Sequence, residues 1–410
     1  MRFRIYLILL ITFNVGLFGQ GGTNYTYNGI GEVENFHNAQ FAGMAGTSIA
    51  MPMYNGININ NPAMWTYNEY TKMQIGYKFN QNLIANNELE IAQFNGKLDG
   101  LQMIMVLDTS SGFTLGMGLY SYSNVNFSVS KPISYSLDDE FSVSGKHNKL
   151  GEGGVSTAYV GMSYEVIDNL SLGLSANLNF GRILSSSESL FEDDRAFDQY
   201  AIFDDAVLGS FYKVGLAYEY ENFIVGGFYE TKSNTTISNE TVYLKSNKIA
   251  MEPIMDTTEI VIPSKYGFGL SYNTKNYIIG FDYISQDFTE MQYKKGTDVS
   301  FGDNMSISLG GIRKGSRSYN SNFINKISYM AGLGYNKYYF NVLDNDITEF
   351  FGSFGMSIPL SDNTLFDVSV VLGSRGSKDN GLIQEQFAKF NFNISIGETW
   401  FKPYKFEYEE

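Results

Sequence analysis

Apolar and small polar residues alternate one by one through most of this 410-residue chain. In the segment 170–181 the intervening polar positions hold Ser, Gly or Asn, and the segments 266–273 and 390–400 repeat the pattern. One face of the first segment carries Leu170, Leu172, Leu174, Ala176, Leu178 and Phe180. A period of two over about 10 residues is typical of a tilted strand that crosses a membrane with one face in lipid. We therefore expect an all-β fold, a transmembrane antiparallel β-barrel of about 14 strands.

The amino-acid composition supports this fold and excludes several classes of function. The chain holds 30 Tyr and 32 Phe, and membrane barrels carry aromatic girdles at both membrane interfaces. It has no Cys, which excludes disulfides, thiol nucleophiles and Cys-based zinc sites. Its net charge of −15 argues against a nucleic-acid partner, since nucleic acids bind a basic face.

Residues 1–19 predict a signal peptide. Arg2 and Arg4 precede an apolar run from Ile5 to Ile11, and Gly19 places a small residue before a polar sequence. The run is too short for a transmembrane helix, which requires about 20 apolar residues. We therefore expect export to the outer membrane, where the chain crosses the bilayer with strands.

The chain divides into four regions by pattern. Residues 1–19 are the signal peptide, 20–68 a plug (hatch) inside the barrel, 69–401 the transmembrane barrel and 402–410 a short tail. The plug region shows no alternation, apart from a short helical pattern near residues 37–46. The last barrel strand ends in Trp400-Phe401, and a terminal aromatic residue is typical of the signal that the barrel assembly machinery recognises. Trp400 and Phe401 are therefore predicted to be the assembly signal.

Turn signals separate the alternating segments. We predict tight turns at Asp168-Asn169, Glu221-Asn222, Lys275-Asn276, Asn336-Lys337 and Ser361-Asp362-Asn363. Long polar stretches at 183–206, 232–262 and 313–323 are predicted to be loops outside the cell, because outer-membrane barrels carry their longer loops on that side.

Several motifs resemble the FadL family of outer-membrane hydrophobic-compound transporters. The segment 41–46, FAGMAG, is followed by Asn60-Asn61-Pro62-Ala63-Met64, as in that family, where a Gly- and Ala-rich run leads into an Asn-Pro-Ala motif before the first strand. The segments 160–173 and 262–272 are similar to strand and turn segments of the family. The motifs keep the family's order over most of the chain.

This resemblance implies a barrel plugged by its N-terminal segment, with Asn61, Pro62 and Ala63 as the plug motif. It implies that the plug holds an apolar ligand, which leaves sideways through a gap in the wall. The family also includes PorV-like barrels, which serve as partners in protein secretion rather than as transporters. The sequence leaves both uses open.

Six apolar residues of the plug are candidates for contacting such a ligand, and Met suits ligands of irregular shape. They are Phe36, Phe41, Met44, Met51, Met53 and Met64. The alternative is that these side chains pack the plug against the barrel wall.

Other chemistry is weakly indicated. No nucleophile elbow accompanies His37 or His147, which argues against an enzyme, and no cofactor motif is present. The acidic run 192–194 lacks the spacing of an EF-hand, so we predict a solvated loop and no metal. Arg313, Lys314 and Arg317 are placed where lipopolysaccharide phosphates could meet them.

We therefore expect an outer-membrane channel for passive uptake of a small hydrophobic, fatty-acid-like molecule. The alternative is a non-transporting, PorV-like subunit of an outer-membrane secretion or assembly complex. Expected partners are membrane lipid, lipopolysaccharide, the ligand, the barrel assembly machinery and other outer-membrane proteins.

Overall fold

The computed structural model describes residues 19–20, 22–53, 56–85, 90–138, 141–193, 196–245, 248–294, 299–318, 320–361, 363–378 and 382–398. The predicted signal peptide (apart from Gly19), Trp400, Phe401 and the tail 402–410 lie outside the described residues. No helix among the described residues is long and apolar enough to cross a membrane.

Fourteen antiparallel strands form one closed barrel, as the alternation predicts. The first seven are β1 (Thr71–Ala85), β2 (Glu90–Asp108), β3 (Phe113–Ser121 and Ser123–Asp138), β4 (Phe141–Ile167), β5 (Leu170–Phe191), β6 (Gln199–Tyr220) and β7 (Phe223–Glu230 and Ser233–Lys245). The other seven are β8 (Ile254–Ile262 and Lys265–Asn273), β9 (Tyr277–Asp287), β10 (Asp303–Arg313), β11 (Ser328–Val342), β12 (Asn345–Pro359), β13 (Thr364–Arg375) and β14 (Gln384–Glu398). Strand β14 pairs with β1 from Gln384↔Ala85 to Glu398↔Thr71, which closes the wall.

Lipid-facing and lumen-facing positions alternate as expected. Asn391, Asn393 and Ser395 of β14 are buried, whereas Phe392, Ile394 and Ile396 between and after them are exposed. Exposed tyrosines mark the edges of the apolar belt, in agreement with an aromatic girdle. They include Tyr212, Tyr229 and Tyr266 at one edge and Tyr218, Tyr220, Tyr272 and Tyr277 at the other.

The two ends of the barrel differ. At one end the connections 109–112, 168–169, 221–222, 274–276 and 360–363 are tight, and we call this the short-turn end. At the opposite end, β4 to β6 form hairpins with strands of 22 to 27 residues, and we call it the long-hairpin end. The hairpins rise beyond the outward-facing Arg182–Asp204 ion pair, which marks where the apolar belt stops.

Four sequence-based expectations about connections are wrong. Asn336 and Lys337 lie inside β11, paired with Glu349 and Thr348, and the turn follows at Leu343-Asp344, where both residues have positive φ. A polar dipeptide is usual in a turn, but here Asn336 is polar because its amide faces the lumen, where it donates to Glu349 at 3.0 Å.

The loops at the long-hairpin end are also shorter than predicted. Most of 183–206 and 232–262 is strand, because these strands continue past the lipid belt and lose their apolar face there. The stretch 313–323 belongs to a connection at the short-turn end, since β10 runs toward the same end at which β9 begins. This connection carries a short helix, α1 (Phe323–Lys326).

The chain before the barrel consists of short elements. These are the two-residue strands Gly19–Gln20 and Glu32–Val33, the 3₁₀ turns Asn24–Tyr27 and Pro62–Tyr67, and a helix at Ala39–Gly43, close to the predicted one. Two more short strands, Lys248–Ile249 and Val299–Phe301, lie in connections at the long-hairpin end.

Candidate ligand-binding site

Residues 22–68, with 54 and 55 not described, form the N-terminal segment, and nearly all of it is buried. It runs along the lumen from one end to the other. Near the long-hairpin end, the Tyr25 hydroxyl donates to the carbonyl of Ile383 at 2.5 Å, just before β14 begins. Near the short-turn end, the Asn61 amide donates to the carbonyl of Leu216 at 3.0 Å, close to the turn after β6.

The Asn-Pro-Ala motif fixes the lower part of the segment. The Asn61 side chain accepts a hydrogen bond from the Ala63 N–H at 3.1 Å and donates to the Ile49 carbonyl at 2.9 Å. Pro62 begins the 3₁₀ turn, where its missing N–H costs nothing. One asparagine therefore caps the turn, binds a neighbouring loop and ties both to β6.

Carboxylates of the barrel wall bind this part of the segment from other sides. Asp282 of β9 accepts hydrogen bonds from the backbone N–H groups of Ser48 at 2.6 Å and Ile49 at 2.8 Å. Asp367 of β13 accepts one from the Gln40 amide at 3.0 Å. Each bond satisfies a polar group that is buried away from water.

Glycines on the inner face let the segment approach the wall. A Cβ built on Gly173 would lie 2.3 Å from the backbone nitrogen of Ala63, and one on Gly310 would lie 2.2 Å from the Met44 carbonyl oxygen. Real Cβ contacts do not reach such distances, so these positions require glycine.

A layer of buried charges crosses the middle of the lumen. Arg375 of β13 contacts Glu32 at 2.9 Å, Glu349 at 2.5 Å and Glu385 at 3.5 Å, and Lys389 also contacts Glu32 at 2.9 Å. Burial alone would raise the pKa of Glu32, but the Arg375 guanidinium and the Lys389 ammonium outweigh it and hold this pKa at about 2. The carboxylate of Glu32 is thus ionised and links the segment to β13 and β14.

Glu34 forms a second set of ion pairs in this layer. Its carboxylate contacts Lys78 of β1 at 2.7 Å and also contacts Lys97 of β2, while Lys78 reaches Asp99 at 3.1 Å. Burial alone would raise the pKa of Glu34, but Lys78 and Lys97 lower it far below its usual range.

Glu34, His37 and Asp99 bring three possible metal ligands within 4.8 Å of one another. Lys78 and Lys97 already neutralise the two carboxylates, and their ammonium groups would repel a cation held there. Burial holds the pKa of His37 well below its usual range, and Glu34 opposes this only in part. The residues present fit an ion-pair layer better than a metal centre.

A cavity of about 400 Å³ lies above the charged layer, between the segment and strands β3 to β6. Its wall is apolar at Val125, Phe127, Ile183 and Phe203, with Tyr27 and Gly29 on the side of the segment. Lys149 and Lys294 add two cations, and serines 185–187 add hydroxyls. The arrangement suits an elongated apolar molecule with one anionic or polar end.

The wall beside this cavity is interrupted. The β2–β3 ladder extends from Asp108↔Phe113 only to Gly100↔Tyr120. Beyond that point, β2 pairs with Gly19–Gln20 through Gln93 and Phe94, and β3 pairs with Glu32–Val33. Residues 19–20 and the N-terminal segment therefore fill a wedge between two strands that separate.

The six predicted ligand residues are brought together in part. Phe36, Phe41, Met44, Met51 and Met53 belong to one apolar cluster with Ile278, Ile312 and Met330 of the wall. Met64 lies apart, against Ala217 and Ile224. Met53 lines a cavity of about 830 Å³ at the short-turn end, while the cavity of about 400 Å³ is lined by other residues. Ligand contact by the six stays a prediction.

Sequence reasoning missed the charged layer. The layer includes single charged residues within the alternating strands: Lys78, Arg375, Glu349 and Glu385. The sequence could have indicated them, because each falls on the lumen-facing set of positions. A charge on that face requires a partner in the lumen.

His147 has two serine neighbours. Its Nδ1 lies 2.9 Å from the Ser189 hydroxyl and its Nε2 lies 3.3 Å from that of Ser187. With both ring nitrogens in contact with serines, the ring has none left for the carboxylate that orients a general base.

Known structures share this architecture. A Pseudomonas aeruginosa FadL homologue is 10% identical, with 89% of this chain and 99% of that chain covered and a TM-score of 0.63. The Ralstonia pickettii toluene transporter TbuX is 12% identical over 88% and 98% of the chains, with a TM-score of 0.61. The CymD monoaromatic hydrocarbon channel is 15% identical over 90% and 99%, with a TM-score of 0.54. These similarities confirm the FadL-like barrel fold.

No curated relative matches the sequence. A family model described as BamG matches residues 1–407. The chain therefore belongs to the BamG family and has the fold of FadL-like outer-membrane barrels.

Proposed function

We propose that this protein is an outer-membrane channel that binds a small apolar molecule between its N-terminal segment and its wall. The observation that carries the proposal is the cavity of about 400 Å³ beside the wedge between β2 and β3. The segment then acts as a plug, because its buried ion pairs close the direct route through the lumen.

The cavity favours a fatty-acid-like ligand. Phe127 and Ile183 bury an alkyl chain, and the ammonium of Lys149, which donates to the Tyr27 hydroxyl at 2.7 Å, lies within reach of a carboxylate head group. Release is lateral: when the N-terminal segment moves out of the wedge between β2 and β3, the molecule enters the lipid, where an apolar molecule partitions spontaneously.

The test is native mass spectrometry with lipid extraction on the full chain purified from its own outer membrane. Ala201→Phe fills the cavity, and Ala176→Phe adds the same bulk on the lipid-facing side of β5. We expect a bound apolar acid in the wild type and in Ala176→Phe, and its loss in Ala201→Phe. Equal loading of all three proteins, or an empty wild type, would contradict ligand binding in this cavity.

A second function is favoured by the family match. Membership of the BamG family points to a subunit of the barrel assembly machinery, in which the plugged barrel is a structural partner rather than a channel. Affinity purification in mild detergent distinguishes the two functions. Stoichiometric assembly proteins with no apolar ligand support the subunit, whereas a loaded barrel that purifies alone supports the channel.

A further inference from the structure

The upper half of β8, Ile254–Ile262, has a free edge. It pairs with β7 from Ser233↔Ile262 to Thr241↔Ile254, whereas β9 pairs only with the lower half, from Lys265↔Gln286 to Asn273↔Ile278. Among the described residues, no other strand pairs with Ile254–Ile262. In an antiparallel strand, alternate residues point their N–H and C=O groups to opposite edges. One set of these groups therefore faces outward.

This edge is exposed over most of its length. Residues 251–259 are all exposed, and Met255 is 76% exposed. Tyr266, one of the exposed tyrosines at the edge of the apolar belt, follows the edge on the lower half of β8. Backbone groups at this edge are accessible to another chain.

The opposite border of the raised wall shows how such an edge is protected. There, within the described part of the chain, β3 pairs with β4 alone beyond residue 128, and its exposed residues include Lys131 and Pro132. Proline cannot donate to a new strand, and lysine on an edge opposes pairing. The free edge of β8 reads IMDTTEIVI, which contains neither.

The charge of the edge defines its partner. Glu252, Asp256 and Glu259 are exposed, and residues 249–264 contain no Lys or Arg. Asp256 and Glu259 are three residues apart and point to opposite faces of the strand, so an added strand that carries Lys or Arg on both of its faces would meet both carboxylates. Cross-strand pairs of opposite charge are favourable. An acidic strand would be repelled.

We propose that the free edge of β8 accepts an extended, basic segment of another protein by β-strand addition. Backbone hydrogen bonds give the affinity, and Asp256 and Glu259 select the charge of the segment. This role goes beyond ligand binding, since the edge and the cavity are separate surfaces.

The experiment places a photo-crosslinking phenylalanine derivative at Thr257 or Glu259 in the full chain in its own membrane, with Ser134 on the protected edge as control. We expect both edge positions to label one partner segment, at partner residues two apart and rich in Lys or Arg. Labels at scattered positions, or on lipid alone, would overturn the proposal.

Two proline variants test the edge itself. Thr257 and Thr258 point their N–H groups to opposite sides, so one proline breaks the β7–β8 ladder and the other blocks only the free edge. In the edge-blocking variant, crosslinking from Glu259 should fall at least about tenfold, which corresponds to a loss of 1.4 kcal/mol in binding free energy. The heat-modifiable barrel band should be retained, because the barrel itself stays folded. Unchanged labelling in that variant would refute strand addition, and native mass spectrometry of the same variant reports ligand binding separately.

Discussion

Arg375 and Glu32 form a 2.9 Å ion pair across 343 residues of sequence, and Arg375 is 1% exposed. Removing the guanidinium leaves Glu349 and Glu385 buried without their shared cation. We expect Arg375→Ala to cost about 3–5 kcal/mol, the usual loss when one partner of a buried pair is removed. Urea unfolding of the detergent-solubilised barrel measures this cost. Arg375→Lys keeps a positive charge at this position and should lose less stability than Arg375→Ala. Equal losses in the two variants would show that the positive charge does not stabilise the fold.

The same pairs predict how stability depends on pH. The pKa of Glu32 is held at about 2 in the folded state, below its ordinary 4.5. Its stabilisation is therefore fully present above pH 4.5 and is lost as pH falls from 4.5 toward 2. His37, with a depressed pKa, adds a loss that begins below pH 6.5, because the unfolded chain then binds a proton that the folded chain excludes.

Hydrogen exchange of residues 22–53 at several pH values measures this opening. Glu32→Gln should reduce the step below pH 4.5, which Glu34 shares because its pKa is also lowered, and should leave the step below pH 6.5 unchanged. An identical pH profile in the variant would show that Glu32 does not fasten the segment.

Asn61 carries three hydrogen bonds that another residue cannot reproduce together. Asn61→Ala leaves the Ala63 N–H and the Ile49 and Leu216 carbonyls without this partner, at about 1–3 kcal/mol for each group left unsatisfied. We expect the lower part of the segment to become sensitive to protease while the barrel stays folded. Asn61→Ser retains a cap for the 3₁₀ turn without the amide donors and should be intermediate. Protection as strong as in the wild type would contradict the role of Asn61.

Close packing predicts which glycines tolerate alanine. Gly215→Ala would place a Cβ 2.1 Å from the Asn61 carboxamide oxygen, whereas Gly227→Ala meets its nearest atom at 3.4 Å. We expect Gly215→Ala to cost about 1–3 kcal/mol through overpacking. Gly227→Ala should be close to neutral. The two variants are compared by thermal unfolding, monitored as the loss of the compact barrel band. Equal unfolding midpoints would refute the packing argument.

Alternation in the sequence determined the barrel. A period of two assigns Leu174 and Ser175 to opposite faces whatever the neighbouring strands are, because successive strand side chains point in opposite directions. The Asn61-Pro62-Ala63 motif likewise encodes a local cap, which depends on neighbouring backbone groups.

Only the tertiary structure decided the rest. Glu32 and Arg375 are neighbours because the barrel closes and the segment passes through it, and local pattern contains no information on contacts across hundreds of residues. The turn signal at Asn336-Lys337 failed because Asn336 lies opposite Glu349 in the β11–β12 hairpin, a partner that is set by the register of the two strands. The free edge of β8 also depends on pairing: IMDTTEIVI would read identically with a strand on either side, and only the register with β7 and β9 leaves one side open.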